Sequence, residues 1–359
     1  MKKLLLSLAI LLPACHAFAQ TDSTRNNLTV SGYLEPYYQY DLGQPANNSR
    51  PGFVYSHNRH NEFNVNLGFI RAAYNDGSVR ANAAIAVGTY MNANYAAEPG
   101  VLKNIFEANA GVKLSKTRDL WVDAGIFASH IGYESAVGKD NWTLTRSITA
   151  DNTPYYESGV KLTYNTPDGK WLLSGLALNG WQQIQRADNN SRIAVATQVQ
   201  YKPTDKLTLN SSTFVGAAPD STNRNRIFHD FYAIWQATGK FGITAGFDYG
   251  IQQRQQGSSG YDNWRSLSLV LRYQLGDKWW LAGRAENYLD RSGIIIATGT
   301  PNGFNTDNYS LNLDFAPVTN VLWRVEGRVF NSQDRIFSER GGAGTRGNAV
   351  VSTALAISF

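Results

Sequence analysis

The sequence predicts an all-β protein: a transmembrane antiparallel up-and-down β-barrel of about 16 strands, with short periplasmic turns and long extracellular loops. Three observations carry the prediction. Strand-length segments alternate apolar and polar residues, which gives one face to lipid and the other to water. The connections between them are short and long in strict alternation, as a barrel with turns on one rim and loops on the other requires. Aromatic residues gather beside the short connections, at the height of an interfacial girdle.

The first element is an export signal. Lys2 and Lys3 precede an apolar run from Leu4 to Leu12, and Ala17-Phe18-Ala19 forms a small-x-small cleavage site. The run is shorter than the ~20 residues of a spanning helix. Residues 1–19 therefore read as a cleaved secretory signal peptide, residues 20–27 as a short periplasmic segment, and residues 28–359 as the barrel. A lipoprotein signal ending at Cys15 is the alternative, and Pro13 disfavours it. Cleavage after Ala19 removes the only cysteine, which excludes disulfides and thiolate chemistry from the mature chain. Loss of Lys2 and Lys3 leaves 31 basic residues against 28 acidic ones, spread without a polybasic block, so nucleic acid is not an expected partner. Mean hydropathy is −0.33; barrel strands need apolar residues only at alternate positions, so their average looks polar.

Among the strands, Ile193, Val195, Thr197, Val199 and Tyr201 interleave with Ala194, Ala196, Gln198 and Gln200; Ile243, Ala245, Phe247, Tyr249 and Ile251 interleave with Thr244, Gly246, Asp248 and Gly250. Tyr309, Leu311, Leu313 and Phe315 alternate likewise, and so does the closing segment Val351 to Phe359. Trp171 to Gln182 is ambiguous in phase. Seven short connections carry turn chemistry: Asp76-Gly77, Ser115 to Asp119, Pro167-Asp168-Gly169, Pro203 to Asp205, Gly239-Lys240, Gly276-Asp277 and Pro317 to Asn320. Eight longer ones run over 41–59, 92–103, 132–154, 183–191, 217–228, 255–262, 291–307 and 332–348. Tyr74, Tyr164, Tyr201, Tyr273 and Phe315 precede short turns, and Trp121, Trp171, Trp279 and Trp323 follow them. The polar faces carry Gly, Ala, Ser, Asn, Gln and charge rather than the large apolar residues of a soluble sandwich, which fits a water-filled lumen.

The opening strand Val30-Ser31-Gly32-Tyr33-Leu34-Glu35-Pro36-Tyr37-Tyr38, the stretch from Leu144-Thr145-Arg146-Ser147 to Pro154-Tyr155-Tyr156-Glu157-Ser158-Gly159-Val160, and the aromatic-ended last strand resemble the OmpL-like β-barrel porins of Gram-negative outer membranes. The resemblance spans nearly all of the mature chain. It implies a porin-like outer-membrane barrel and supplies neither a substrate nor catalytic residues.

Phase taken from each apolar face points Arg80, Lys113, Asp123, Glu157, Arg272, Arg284, Glu286, Asp314, Arg324, Glu326 and Arg328 inward as pore-lining residues, with Glu35, Glu107, Lys161 and Asp248 beside them. Arg or Lys facing lipid at mid-membrane costs about 2–4 kcal/mol, which argues for the lumen. The third long connection carries Glu134, Lys139, Asp140, Arg146 and Asp151; by resemblance to general porins it folds inward as a constriction, and by its polarity alone it lies over the mouth. His57, His60 and His229 read as loop polarity, since no matching third metal ligand is near; no metal or cofactor is expected. Gly341-Gly342-Ala343-Gly344 lacks the context of a phosphate loop and reads as flexible loop.

The function these readings support is passive diffusion of small hydrophilic solutes or ions through a polar lumen with weak charge selectivity. A barrel hydrolase and a non-conducting adhesin or structural barrel are the alternatives, though no Ser, His and Asp spacing singles out a triad. Expected partners are outer-membrane lipid, lipopolysaccharide and the permeating solute; a homo-oligomer is left open.

Overall fold

A computed structural model of the protein describes residues 27–359. The signal peptide and most of segment 20–27 lie outside the described residues. Strands β1 (Leu28–Asp41), β2 (Phe63–Asn75), β3 (Val79–Val87), β4 (Ile105–Lys113), β5 (Asp119–Ala128), β6 (Tyr156–Asn165), β7 (Trp171–Leu178) and β8 (Ala194–Thr204) make the first half of one closed sheet. The second half is β9 (Leu207–Ala217), β10 (Asn225–Trp235), β11 (Phe241–Gln253), β12 (Tyr261–Gly276), β13 (Trp279–Asp290), β14 (Phe304–Val318), β15 (Val321–Ser332) and β18 (Gly347–Ser358). Each pairs antiparallel with its neighbour in the chain, and β18 pairs with both β15 and β1 to close a barrel of 16 strands. Two short strands, β16 (Phe337–Ser338) and β17 (Gly344–Thr345), form a separate hairpin in the last long connection. Its turn uses the positive φ of Gly341 and Gly342, 102° and 84°.

Closure removes every sheet edge, the condition for backbone to cross lipid. The seam is sealed by two reciprocal bonds: Gly32 N–H donates to Phe359 O at 2.7 Å, and Phe359 N–H donates to Gly32 O at 3.0 Å. The Phe359 ring lies over Gly32, in space that a Cβ would occupy.

The outer face follows the sequence. Trp171 stacks on Tyr201 with ring centroids 4.1 Å apart and Trp279 on Phe315 at 4.3 Å, both beside short turns. Trp121 departs from the expected girdle: it is buried on the inner face, two residues from Asp123, with the Arg80 guanidinium 4.3 Å from its ring centroid. The segment of ambiguous phase resolves with Ser174, Leu176 and Leu178 inward.

The inner face departs further. Towards the long-loop rim Phe214, Phe228, Trp264, Tyr288, Phe304 and Phe330 point inward and are at most 3% exposed. They pack with Phe53 and Val54 of the first long connection, Trp181 of the fourth, Ile296 of the seventh and Phe337 of the last. Folded-in loops replace water there, so large apolar residues are stable on a face expected to be polar throughout. The seam makes a testable contact: Gly32→Ile displaces the Phe359 ring, and overpacking of this kind costs about 1–3 kcal/mol. The folded, fast-migrating band of an unboiled gel sample should be lost at a lower temperature than in wild type; an unchanged transition would show that the ring does not seal the seam.

Candidate functional site in the barrel lumen

The lumen is organised by its third long connection, which runs from Ser129 to Tyr155 between β5 and β6. Residues 143–153 of this loop are all buried, including a short helix (Ile148–Asp151). It lies inside the barrel and not over its mouth. Ser147 caps this helix, its hydroxyl accepting from Ala150 N–H, and Glu134 in turn accepts from the Ser147 N–H and hydroxyl at 2.8 and 2.7 Å. Arg146 staples the loop to itself, donating to the carbonyls of Ser135, Ala136 and Leu144.

A loop buried this way must find partners for its backbone polar groups. The wall of β13, β14 and β15 supplies them. Glu326 accepts from the Thr145 N–H at 2.6 Å and its hydroxyl at 3.0 Å, Glu286 accepts from Ile148 N–H at 2.8 Å, and Asn312 accepts from Leu144 N–H at 3.1 Å. Arg284 donates to Thr145 O at 2.6 Å, Arg328 to Arg146 O at 2.8 Å, and Arg324 to Gly138 O and Asn141 O at 2.8 and 2.9 Å. The same groups pair with one another: Arg284 with Glu326 at 3.0 Å and Glu286 at 3.3 Å, Arg328 with Glu286 at 3.0 Å, and Arg324 with Asp314 at 2.7 Å. Arg272 approaches Asp314 at 3.7 Å.

Other walls receive the loop by shape. Gly242 and Gly246 on the inner face of β11 leave room for Trp142 and Tyr133, whose ring atoms would lie 2.6 and 2.7 Å from a Cβ at these positions. At the loop tip Gly138 sits directly against the Glu35 carboxylate, where any side chain would collide. At its base both His130 ring nitrogens face acceptors, Nδ1 the Glu157 carboxylate at 2.8 Å and Nε2 the Thr213 carbonyl at 3.0 Å. Only the doubly protonated ring satisfies both.

The first long connection also turns inward, which corrects the reading of His57 and His60 as surface polarity. His57 is buried 3.6 Å from Glu35 and edge-on to Tyr37, and His60 Nδ1 accepts from Asp41 N–H at 2.9 Å. His229 faces outward and bonds Ser211 at 2.8 Å.

The fifteen charges expected inside all stand on inner-face positions, in two unlike settings. Arg284, Glu286, Asp314, Arg324, Glu326 and Arg328 are at most 5% exposed, covered by the loop. Their charges pair with one another into one neutralised lattice. On the β2–β6 side the wall stays open: the Arg80 and Lys113 side chains are 30% and 29% exposed, Arg80 pairs with Asp123, and Lys161 lies over Phe127. Asp248 is opposite Asp230 in register, and Glu157 is held by His130. Of the loop residues, Glu134, Arg146 and Asp151 are buried, whereas Asp140 is exposed and paired with Lys139 at 2.7 Å.

A cavity of about 360 Å3 lies between the loop and the open wall, with Phe69, Arg71, Phe106, Glu107, Glu134 and Asp140 in its lining. Sequence reasoning missed Arg71, which pairs with Glu107 at 3.1 Å. A register shift opposite Glu35 and Pro36 inserts a residue in β2 and breaks the phase that would have pointed it inward. His130 was missed because nothing in a lone histidine after a strand marks its partners.

Three loop groups set a pH response. Burial pushes the Asp151 carboxyl up to about 7 against the lowering effect of Arg328 and Arg146. Burial also raises Glu134 against Arg284; for His130 burial lowers, and Glu157, Thr213 and Asp230 together outweigh it and raise the ring. For each, the seated loop binds a proton more tightly than a free chain does. Stability from this source is therefore present at acid pH and falls as pH rises, for Asp151 between about 4 and 7. Tryptic cleavage at Lys139 and Arg146 in the folded barrel should rise from pH 5 to pH 8, after correction for trypsin's own activity; cleavage that falls with pH would contradict the assignment.

A closed barrel of 16 antiparallel strands, with its third long loop tied inside by wall charges and a polar cavity beside it, is the build of a porin. The chain belongs to the family described as putative beta-barrel porin-2, OmpL-like, whose model matches residues 27–359. No curated protein matches the sequence. Solved structures of similar fold include an anion-selective porin from Comamonas acidovorans, with 12% identity over 92% of this chain and 99% of that one and a TM-score of 0.60. The outer membrane channel DcaP of Acinetobacter baumannii has 11% identity over 92% and 97%, with a TM-score of 0.59. The trimer form of OmpT, an outer membrane protein of Vibrio cholerae, has 10% identity over 92% and 99%, with a TM-score of 0.58.

Proposed function

We propose that this protein is an outer-membrane channel for passive diffusion of small hydrophilic solutes, with weak charge selectivity and no catalytic activity. The observation that carries the reading is the asymmetry of the lumen: the loop is fastened to β13–β15, and the water-lined side runs along β2–β6. Mechanism follows from that division. The covered lattice contributes rigidity and little field, because each charge meets an opposite one at contact distance. The exposed and part-exposed charges, Arg71, Arg80, Lys113, Lys161, Glu107 and Asp140, mix both signs and discriminate weakly between cations and anions. Short turns then face the periplasm with both termini, the long loops face outward, and residues 1–19 act as the export signal. The outer wall meets lipid and lipopolysaccharide. The OmpT neighbour described as a trimer supports a homo-oligomer.

Purified, refolded protein should conduct in a planar bilayer. Replacing Arg284, Arg324 and Arg328 together with Gln unties the loop and leaves Glu286, Asp314 and Glu326 unpaired. Single-channel conductance should rise, roughly twofold or more, and the reversal potential should move toward cation preference, more at low salt than at 1 M where the Debye length is about 3 Å. A folded triple variant with wild-type conductance and reversal potential would refute the anchoring role. A wild-type barrel that never conducts would refute the channel.

A further inference from the structure

The cavity beside the loop has an unusual lining for a water-filled passage. Phe214, Phe228 and Trp264 on the inner face are fully covered, whereas Phe69 and Phe106 are part-exposed. Their rings stack with centroids 5.2 Å apart and an interplanar angle of 14°, and Tyr33 continues the stack at 5.6 Å. Exposed aromatic surface in water is unfavourable unless something else covers it.

Beside this stack stands the Arg71–Glu107 pair, with side chains 38% and 13% exposed. Arg71 Nη2 is used by Asn82 at 3.0 Å, while its Nη1 and the Glu107 Oε1 make no hydrogen bond among the described residues. One donor and one acceptor therefore stand next to an aromatic surface.

Electrostatics select the ligand. Three carboxylates and one arginine line the cavity, which disfavours an anion. Each carboxylate already has a cation: Glu107 has Arg71 at 3.1 Å, Glu134 has Arg284 at 3.8 Å, and Asp140 has Lys139 at 2.7 Å. A permeating cation gains little from acids so neutralised. A neutral solute that donates and accepts hydrogen bonds on one side and offers C–H surface on the other matches both halves of the lining. The volume of about 360 Å3 falls within the roughly 300–1,000 Å3 typical of small-molecule sites.

We propose that this cavity is a binding subsite for a neutral polyhydroxylated solute, a mono- or disaccharide, with Phe69 and Phe106 as the apolar platform and Arg71 and Glu107 as the polar clamp. The proposal rests on the channel reading and names the solute class for it. The test uses maltose as probe, with choline and benzoate as charged counterparts, on the full-length refolded barrel in a planar bilayer. Maltose should reduce the potassium current saturably, at lower concentration than choline or benzoate. Phe69→Leu and Phe106→Leu together keep apolar bulk and remove the rings; the double variant, checked for heat-modifiable folding, should need about tenfold more maltose for half-saturation, a change of ~1.4 kcal/mol. Calorimetric titration of maltose into the detergent-folded protein runs in parallel, so a preparation that does not conduct still decides the subsite while refuting the channel. An ion-conducting barrel without a saturable maltose effect, a double variant with unchanged half-saturation, or stronger block by choline or benzoate would each overturn the saccharide assignment and leave the channel standing.

Discussion

The lumen depends on one constraint: a loop taken inside a barrel loses water from its backbone, and something must replace that water. Strands satisfy their amides with neighbouring strands, but residues 138–148 have no such neighbour. Arg284, Glu286, Arg324, Glu326 and Arg328 replace it, each bonded both to the loop backbone and to an opposite charge. Buried ion pairs alone are weak evidence for stability, because desolvation cancels much of their attraction. Here the lone pairs and protons left over by pairing are used by the loop, which is the condition under which such burial is tolerated. Wall charges and loop are thus mutually dependent, and removal of one partner strands the others.

Much of this was legible in the sequence, for a physical reason. A lipid-facing strand must alternate, so the 16 strands, the order of short and long connections and the inward phase of all fifteen charges could be read from pattern alone. The girdle was legible where aromatics sit on the outer face, as Trp171 and Trp279 do. Trp121 escaped because proximity to a turn says nothing about face; its parity with Asp123 did, and would have placed it inside. Phe228 and Phe231 show the same limit, since both are apolar and only the fold says that Phe228 meets the loops.

The destination of the third loop was not legible from its own residues, which are as polar as any surface loop. The signal lay on the opposite wall. Gly242, Gly246 and Gly250 repeat every four residues on the inner face of β11, an unlikely choice for a strand unless something must fit close. Trp142, Tyr133 and Trp264 fill those three spaces. The fold therefore makes the lumen unequal: packed by charge and glycine along β11–β15, packed by aromatics towards the long-loop rim, and more open along β2–β6, where the cavity lies.

The asymmetric lumen requires the third loop to be seated and dry, and Thr149 offers the most direct view of it. Its hydroxyl is buried without a hydrogen-bond partner among the described residues, so Thr149→Cys changes little else. In the processed protein, which carries no other cysteine if cleavage follows Ala19, that thiol should resist a water-soluble maleimide while the barrel is folded and react fully once it is boiled. A cysteine at Asn302, on an exposed loop, should react in both states. If the folded barrel labels Thr149→Cys as fast as Asn302→Cys, the loop is not seated in the lumen and the wall charges do not hold it there.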